Sequence, residues 1–197
     1  KEKEKNTYNN TKNFAVEVID QKTNIAIISA ISHPDLGAMK RAIESNVQRK
    51  VTIAKPNEIK SLQDYNVLIL YQPTTDFKTI FENNKGTGIN TFIITGNNTD
   101  FNFLNQQQDN LNFKMSGQKE DYLSVFNGQF NLFAADNIGF ENLPPLQNAF
   151  GTVTTKGAVS VLLSSKIRSI DTNSPLLAFA ENQGKRAAYL LGENSWK

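Results

Sequence analysis

One histidine, His33, and no cysteine bound the chemistry open to this chain of 197 residues. Without thiols there are no disulfides, no thiolate metal sites and no cysteine nucleophile. A zinc centre built on imidazoles needs two or more of them. A lone neutral imidazole can still hydrogen-bond a substrate or act as a general base, provided that an acid stands nearby. Asp35 and Asp100 are the conceivable partners, since each follows an apolar, strand-like run. That pairing describes a hydrolase in which His33 and Asp100 flank a bound water or metal. The alternative is local: His33 orients the turn before Pro34, and Asp35 favours the start of the helix that follows.

A second constellation is made of amides. Gly96-Asn97-Asn98-Thr99-Asp100 follows the run TFIIT and reads as a strand-to-helix turn, whose backbone N–H groups can cradle an anion. Neither G-x-G-x-x-G nor a phosphate loop ending in Lys-Ser or Lys-Thr is present there, so no dinucleotide or nucleotide cofactor is implied. Asn tolerates the positive φ that a tight elbow demands, so Asn97 and Asn98 also suit a purely structural turn capped by Thr99 or Asp100. Gln72-Pro73-Thr74-Thr75-Asp76 follows another apolar run and falls on the same rim. Gln72, Thr74, Gly96 and Asn97 are therefore the ligand-binding candidates, and His33, Asn97, Asn98 and Asp100 the residues of a cleft. The plain alternative for 72–76 is a loop with an N-cap at Thr75. Trp196, the only tryptophan, packs on the sheet or marks an interface. Seven phenylalanines between residues 101 and 140 read as core. The carboxylates are dispersed and give neither a calcium loop nor a paired-acid signature, and no metal set is expected.

Charge narrows the partners. The net charge is +2 with both signs mixed, which argues against nucleic acid, whose binding needs a clustered basic stripe. No apolar run approaches the ~20 residues that span a bilayer, so no membrane insertion by this segment is expected. Lys1 to Lys5 alternate in sign, and residues 1–13 read as a polar linker or disordered end. The chain starts without Met and stops just after a strand-like run, which reads as a piece of something longer, truncated at its C-terminal end.

The elements that must position these residues show in the periodicity. Runs over 24–31, 50–54, 67–71 and 91–95 are apolar enough to be strands buried on both faces. Helical spacing links Leu36, Met39, Ala42, Ile43 and Val47, then Phe77, Ile80 and Phe81 with Gly86 and Gly88 as stops. A short helix begins at Phe101. Alternation of this kind implies a parallel sheet with helices on both faces. Residues 105–121 are polar and read as an excursion. Shorter strands follow at 129–134, 149–154, 158–163, 176–180 and 186–191, the last two as a hairpin. Residues 14–20, with Phe14, Val16 and Val18 on one face, read as a strand that can be the last of a preceding domain. The expected fold is a flavodoxin-like three-layer α/β sandwich, with a mostly parallel sheet and an antiparallel C-terminal extension.

The turn Ile93-Ile94-Thr95-Gly96-Asn97-Asn98-Thr99-Asp100-Phe101 resembles the nucleophile elbow of the class I glutamine amidotransferase-like superfamily. Together with 14–20 leading into 24–35, with Leu143–Gly151 and with Pro175–Lys197, it makes residues 14–197 similar to the C-terminal region of bacteroidete membrane proteins that carry a von Willebrand factor A domain. The resemblance implies an elbow cysteine activated by a C-terminal histidine and glutamate. Here the elbow carries Asn97 or Asn98, and an amide is no nucleophile. The single histidine lies after the first strand. Glutaminase activity is therefore not carried over, and a non-catalytic binding or scaffolding domain is the expectation, with a small-ligand sensor as a further alternative. By resemblance, the partners are other domains of the same polypeptide or envelope proteins, and the location is the periplasmic face of a bacterial inner membrane.

Overall fold

A computed structural model describes residues 22–197; the linker read over 1–13 and the strand read over 14–20 lie outside the described residues. The chain then runs β1 (Thr23–Ser29), α1 (Pro34–Glu44), β2 (Arg49–Ala54), β3 (Val67–Tyr71), α2 (Lys78–Thr87), β4 (Asn90–Thr95), α3 (Phe101–Gln107), β5 (Leu111–Phe126), β6 (Leu146–Thr155), β7 (Val159–Ile167), β8 (Ile170–Asn182) and β9 (Lys185–Leu191). No helix among the described residues is long and apolar enough to cross a membrane.

The first half assembles as the apolar runs dictate. β1 carries Ile25, Ala26, Ile27 and Ile28, all buried, and pairs in parallel with β2 on one side and β3 on the other. Side chains alternate across a strand, so Ile25 and Ile27 pack with Leu36 of α1, while Ala26 and Ile28 pack with Phe77, Ile80, Phe81, Phe103 and Leu104. One sheet face thus belongs to α1, the other to α2 and α3. α1 stops at Glu44, so Val47 lies beyond it and stays exposed. α2 closes on Gly88, whose φ of 66° is left-handed and whose N–H returns to Asn84.

The second half overturns the expected flavodoxin-like three-layer sandwich with its mostly parallel sheet. The nine strands form one mixed sheet in the order β2-β1-β3-β4-β9-β8-β7-β5-β6. The four pairings from β2 to β9 are parallel and the four from β9 to β6 antiparallel. The reason lies in residues 105–121, where a loop excursion is expected. Past α3 these become β5, a strand of 16 residues. Leu111 and Phe113 face the core while Asn112 and Lys114 face outward. Such half-solvated antiparallel strands have a polar average composition. β5 bends, pairing with β6 through Leu111–Tyr122 and with β7 through Leu123–Phe126. Helices are displaced because the chain returns by hairpins instead of crossovers. The 129–134 strand does not form either: that stretch is turn and coil. The β8–β9 hairpin is present, with Gln183 and Gly184 both at positive φ in its turn.

The described residues leave one part of the α1 face uncovered. Val67, Phe92, Leu177, Phe179 and Ala188 line a groove there with Leu132 and Phe133, and the last two are about half exposed. Tyr189, on the opposite face, is buried, and burial pushes its phenol up to about 12.

Candidate functional site

The carboxyl ends of the parallel strands carry two adjoining polar clusters. Gly96, Asn97 and Asn98 follow β4, Gln72 follows β3, and Glu193 follows β9. The Glu193 carboxylate, 7% exposed, accepts from Gln72 Nε2, from Asn97 Nδ2 and from the Asn97 N–H. Gln72 turns its Oε1 to the Asn98 N–H at 2.8 Å. Asn97 Nδ2 also donates to Gln147 Oε1 at 2.8 Å, and Gln147 Nε2 donates to Asp121. The elbow position is therefore filled by interlocked amides under a carboxylate.

Two close approaches make this possible. A Cβ on Gly96 would stand 2.6 Å from Gln72 Nε2 and from Glu193 Oε2, and one on Gly192 would stand 2.6 Å from Leu146 Cβ. Gly96→Ala is expected to lower stability by about 1–3 kcal/mol through overpacking, read as a shift of the urea midpoint. A change within error would mean that Gln72 and Glu193 move aside freely.

The expected positive φ at the elbow is not found: neither Asn97 nor Asn98 has it, and the strained backbone sits at Gln72, with φ 50°. The turn is instead held by the Gly96 N–H on Thr99 Oγ1 at 2.9 Å and by the Asp100 N–H on Pro73 O at 3.0 Å.

The second cluster surrounds Asp35, which is fully buried. Its carboxylate accepts from the Tyr71 hydroxyl (2.8 Å), the Asn194 N–H (2.8 Å), the Trp196 N–H (2.9 Å) and the Ser195 hydroxyl (3.1 Å). Hydrogen bonds thus satisfy a buried acid. Burial first, then the bond to Asp35, holds the Tyr71 phenol far above its ordinary value. His33 caps α1, its Nδ1 accepting the Asp35 N–H at 3.2 Å, with its ring 5.4 Å from that of Tyr71. As an acceptor, Nδ1 has no proton to offer Asp35 Oδ2, 3.3 Å away, so in that tautomer the contact is no ion pair.

Of the residues singled out from the sequence, Gln72, Gly96, Asn97 and Asn98 come together. His33 joins the Asp35 cluster instead. Asp100 caps α3 through the Phe103 N–H at 2.9 Å. Thr74, not Thr75, precedes the short 3-10 turn Thr75–Phe77, and its buried Oγ1 has no partner among the described residues. Trp196 is half exposed at the end of the tail that Asp35 holds. Among the described residues no group of three or more His, Cys, Asp or Glu is placed to hold a metal. Glu193 and Gln147 were not singled out. The available signal for Glu193 was an acid directly after a glycine at the end of the last apolar run, and the other four parallel strands also end in polar turns.

No protein-family model matches the chain, and no curated protein matches it. Solved structures are similar in shape. A protein described as ThuA-like from Bacteroides uniformis ATCC 8492 shares 15% identity at a TM-score of 0.48, over 91% of this chain and 84% of that one. An exo-β-1,4-mannosidase, Op5Man5, from Opitutaceae bacterium strain TAV5 shares 9% identity at a TM-score of 0.50, over 87% of this chain but 31% of that one. At such identities the likeness to the mannosidase is one of fold alone, and it says nothing of substrate.

Proposed function

We propose that this chain is a non-catalytic binding or scaffolding domain on a class I glutamine amidotransferase-like framework, part of a larger membrane-anchored envelope protein with a von Willebrand factor A domain. The observation that carries the reading is the state of the elbow. Where an attacking group would stand, Asn97 is bonded to Glu193 and Gln147. An amide at that position cannot form a covalent intermediate. The sole imidazole caps α1 through its Nδ1 and makes no hydrogen bond to the elbow amides among the described residues. The uncovered groove along Phe92, Phe179 and Phe133 supports a docking role, since apolar faces of this kind are often buried by a neighbouring domain. Its partners would be other domains of the same polypeptide or envelope proteins, on the periplasmic side.

The test is turnover. Purified protein at high concentration is expected to release no ammonia from glutamine above the buffer rate, and to hydrolyse none of a set of ester, amide and glycoside reporters. Turnover that disappears in Asn97→Ala or His33→Ala would end the reading.

A further inference from the structure

Glu193 is buried, yet its salt-bridge partner is absent among the described residues. What it meets instead is a set of neutral donors converging from two other strand ends: Gln72 Nε2 after β3, and Asn97 Nδ2 and N–H after β4. Convergent amide donors on one carboxylate are how proteins recognise carboxylates. Here the occupant is delivered by the chain's own tail. That tail is pinned on both sides of the site, by the paired backbone bonds between Glu193 and Gln147 (2.8 and 3.0 Å) and by the grip of Asp35 on residues 194–196. Gly96 keeps open the space that the carboxylate enters, because a Cβ would collide with Glu193 Oε2. The fit is also incomplete: Asn97 Oδ1 is buried and has no donor among the described residues, and such an orphan acceptor is costly. A Glu side chain has nothing to give it.

We propose that the elbow is a carboxylate-recognising site that Glu193 occupies in cis, and that its ligand in trans is a carboxylate carrying an N–H or O–H donor beside it, the donor meeting Asn97 Oδ1. Two sources share that chemistry, a small hydroxy acid and the C-terminal carboxylate of a peptide. The inference rests on the binding reading above and names its ligand class.

The experiment empties the site with Glu193→Ala in the full chain and adds probes against chloride at equal ionic strength. Glycolate and N-acetylglycine, at about 100 mM, are expected to raise the melting temperature of the variant by about 2–5 °C. The wild type, with its site filled, is expected not to respond, and neither is the double variant Asn97→Ala/Glu193→Ala. N-acetylglycinamide, which lacks the carboxylate, is the control. A response to glycolate alone assigns the site to free acids, and one to N-acetylglycine alone to chain termini. If Glu193→Ala is unfolded in chloride, the same additions read as recovered circular dichroism and tryptophan signal. No response beyond chloride, or an equal one to the amide control, overturns the proposal and leaves the non-catalytic reading standing; glutamine turnover would end that reading while leaving the titration result intact.

Discussion

Asp35→Ala is expected to lower stability by about 2–4 kcal/mol and to release the C-terminal tail. The substitution strands the Tyr71 hydroxyl in a fully buried position and removes the acceptor of three groups at 194–196. An unsatisfied buried donor costs about 1–3 kcal/mol, and the hydroxyl bears that cost in full. Ser195 and Trp196 are exposed, so water replaces most of what they lose. The estimate therefore stays below a simple sum over four bonds. Trp196, the single tryptophan, reports the release without a label. Its emission is expected to shift to the red and its quenching by acrylamide to rise before global unfolding, and the Asn194 and Trp196 amides are expected to lose exchange protection. An unchanged tryptophan signal in a stably folded variant would show that the tail is held by something other than Asp35.

Leu104→Ala is expected to cost about 2–5 kcal/mol. The side chain is fully buried in the cluster shared by α2, α3 and the strands. α3 has seven residues, too few to be stable by itself, so it stays folded through the burial of Phe103 and Leu104 and through the Asp100 cap. The elbow lies immediately before it. Loss of Leu104 should thus raise amide exchange at 96–100 beyond what the global loss explains, while β1 and β3 exchange only through global unfolding. A uniform rise across the sheet would show that α3 does not hold the elbow.

Both predictions concern residues whose importance was visible to different degrees. Leu104 could be named from helical spacing after β4, because burial of an apolar face is a local, periodic property. Asp35 could be named only as a possible acid partner of His33 or as an acid favouring the start of the following helix. Its actual partners lie 36 residues away at Tyr71 and 159 to 161 residues away at Asn194, Ser195 and Trp196, and no local pattern encodes contacts of that separation. The cap at His33 was legible since it involves Asp35, two residues on, and the cap of α3 was legible down to Thr99 or Asp100, of which Asp100 forms it.

The sheet divides in the same way. The runs at 24–31, 67–71 and 91–95 are apolar on both faces, which announces parallel central strands. In sequence most of β5 reads as a loop, since Asn112, Lys114, Ser116 and Gln118 lower its hydropathy although Leu111 and Phe113 keep the alternation of a strand with one wet face. The uncovered groove was equally invisible, since it is defined by a helix that does not cover β4, β9 and β8.

From its own residue types the sequence determined what this protein lacks: a thiol, a second imidazole and a nucleophile at the elbow. It also determined the first four strands, the helices between them and the cap at His33, because these depend on neighbours a few positions apart. The tertiary structure alone decided that the sheet is half antiparallel, that Glu193 fills the elbow and that Asp35 secures the tail. Those outcomes rest on donors and acceptors brought together from β1, β3, β4 and β9. Buried polar groups must find partners wherever folding places them, and only the folded chain shows where that is.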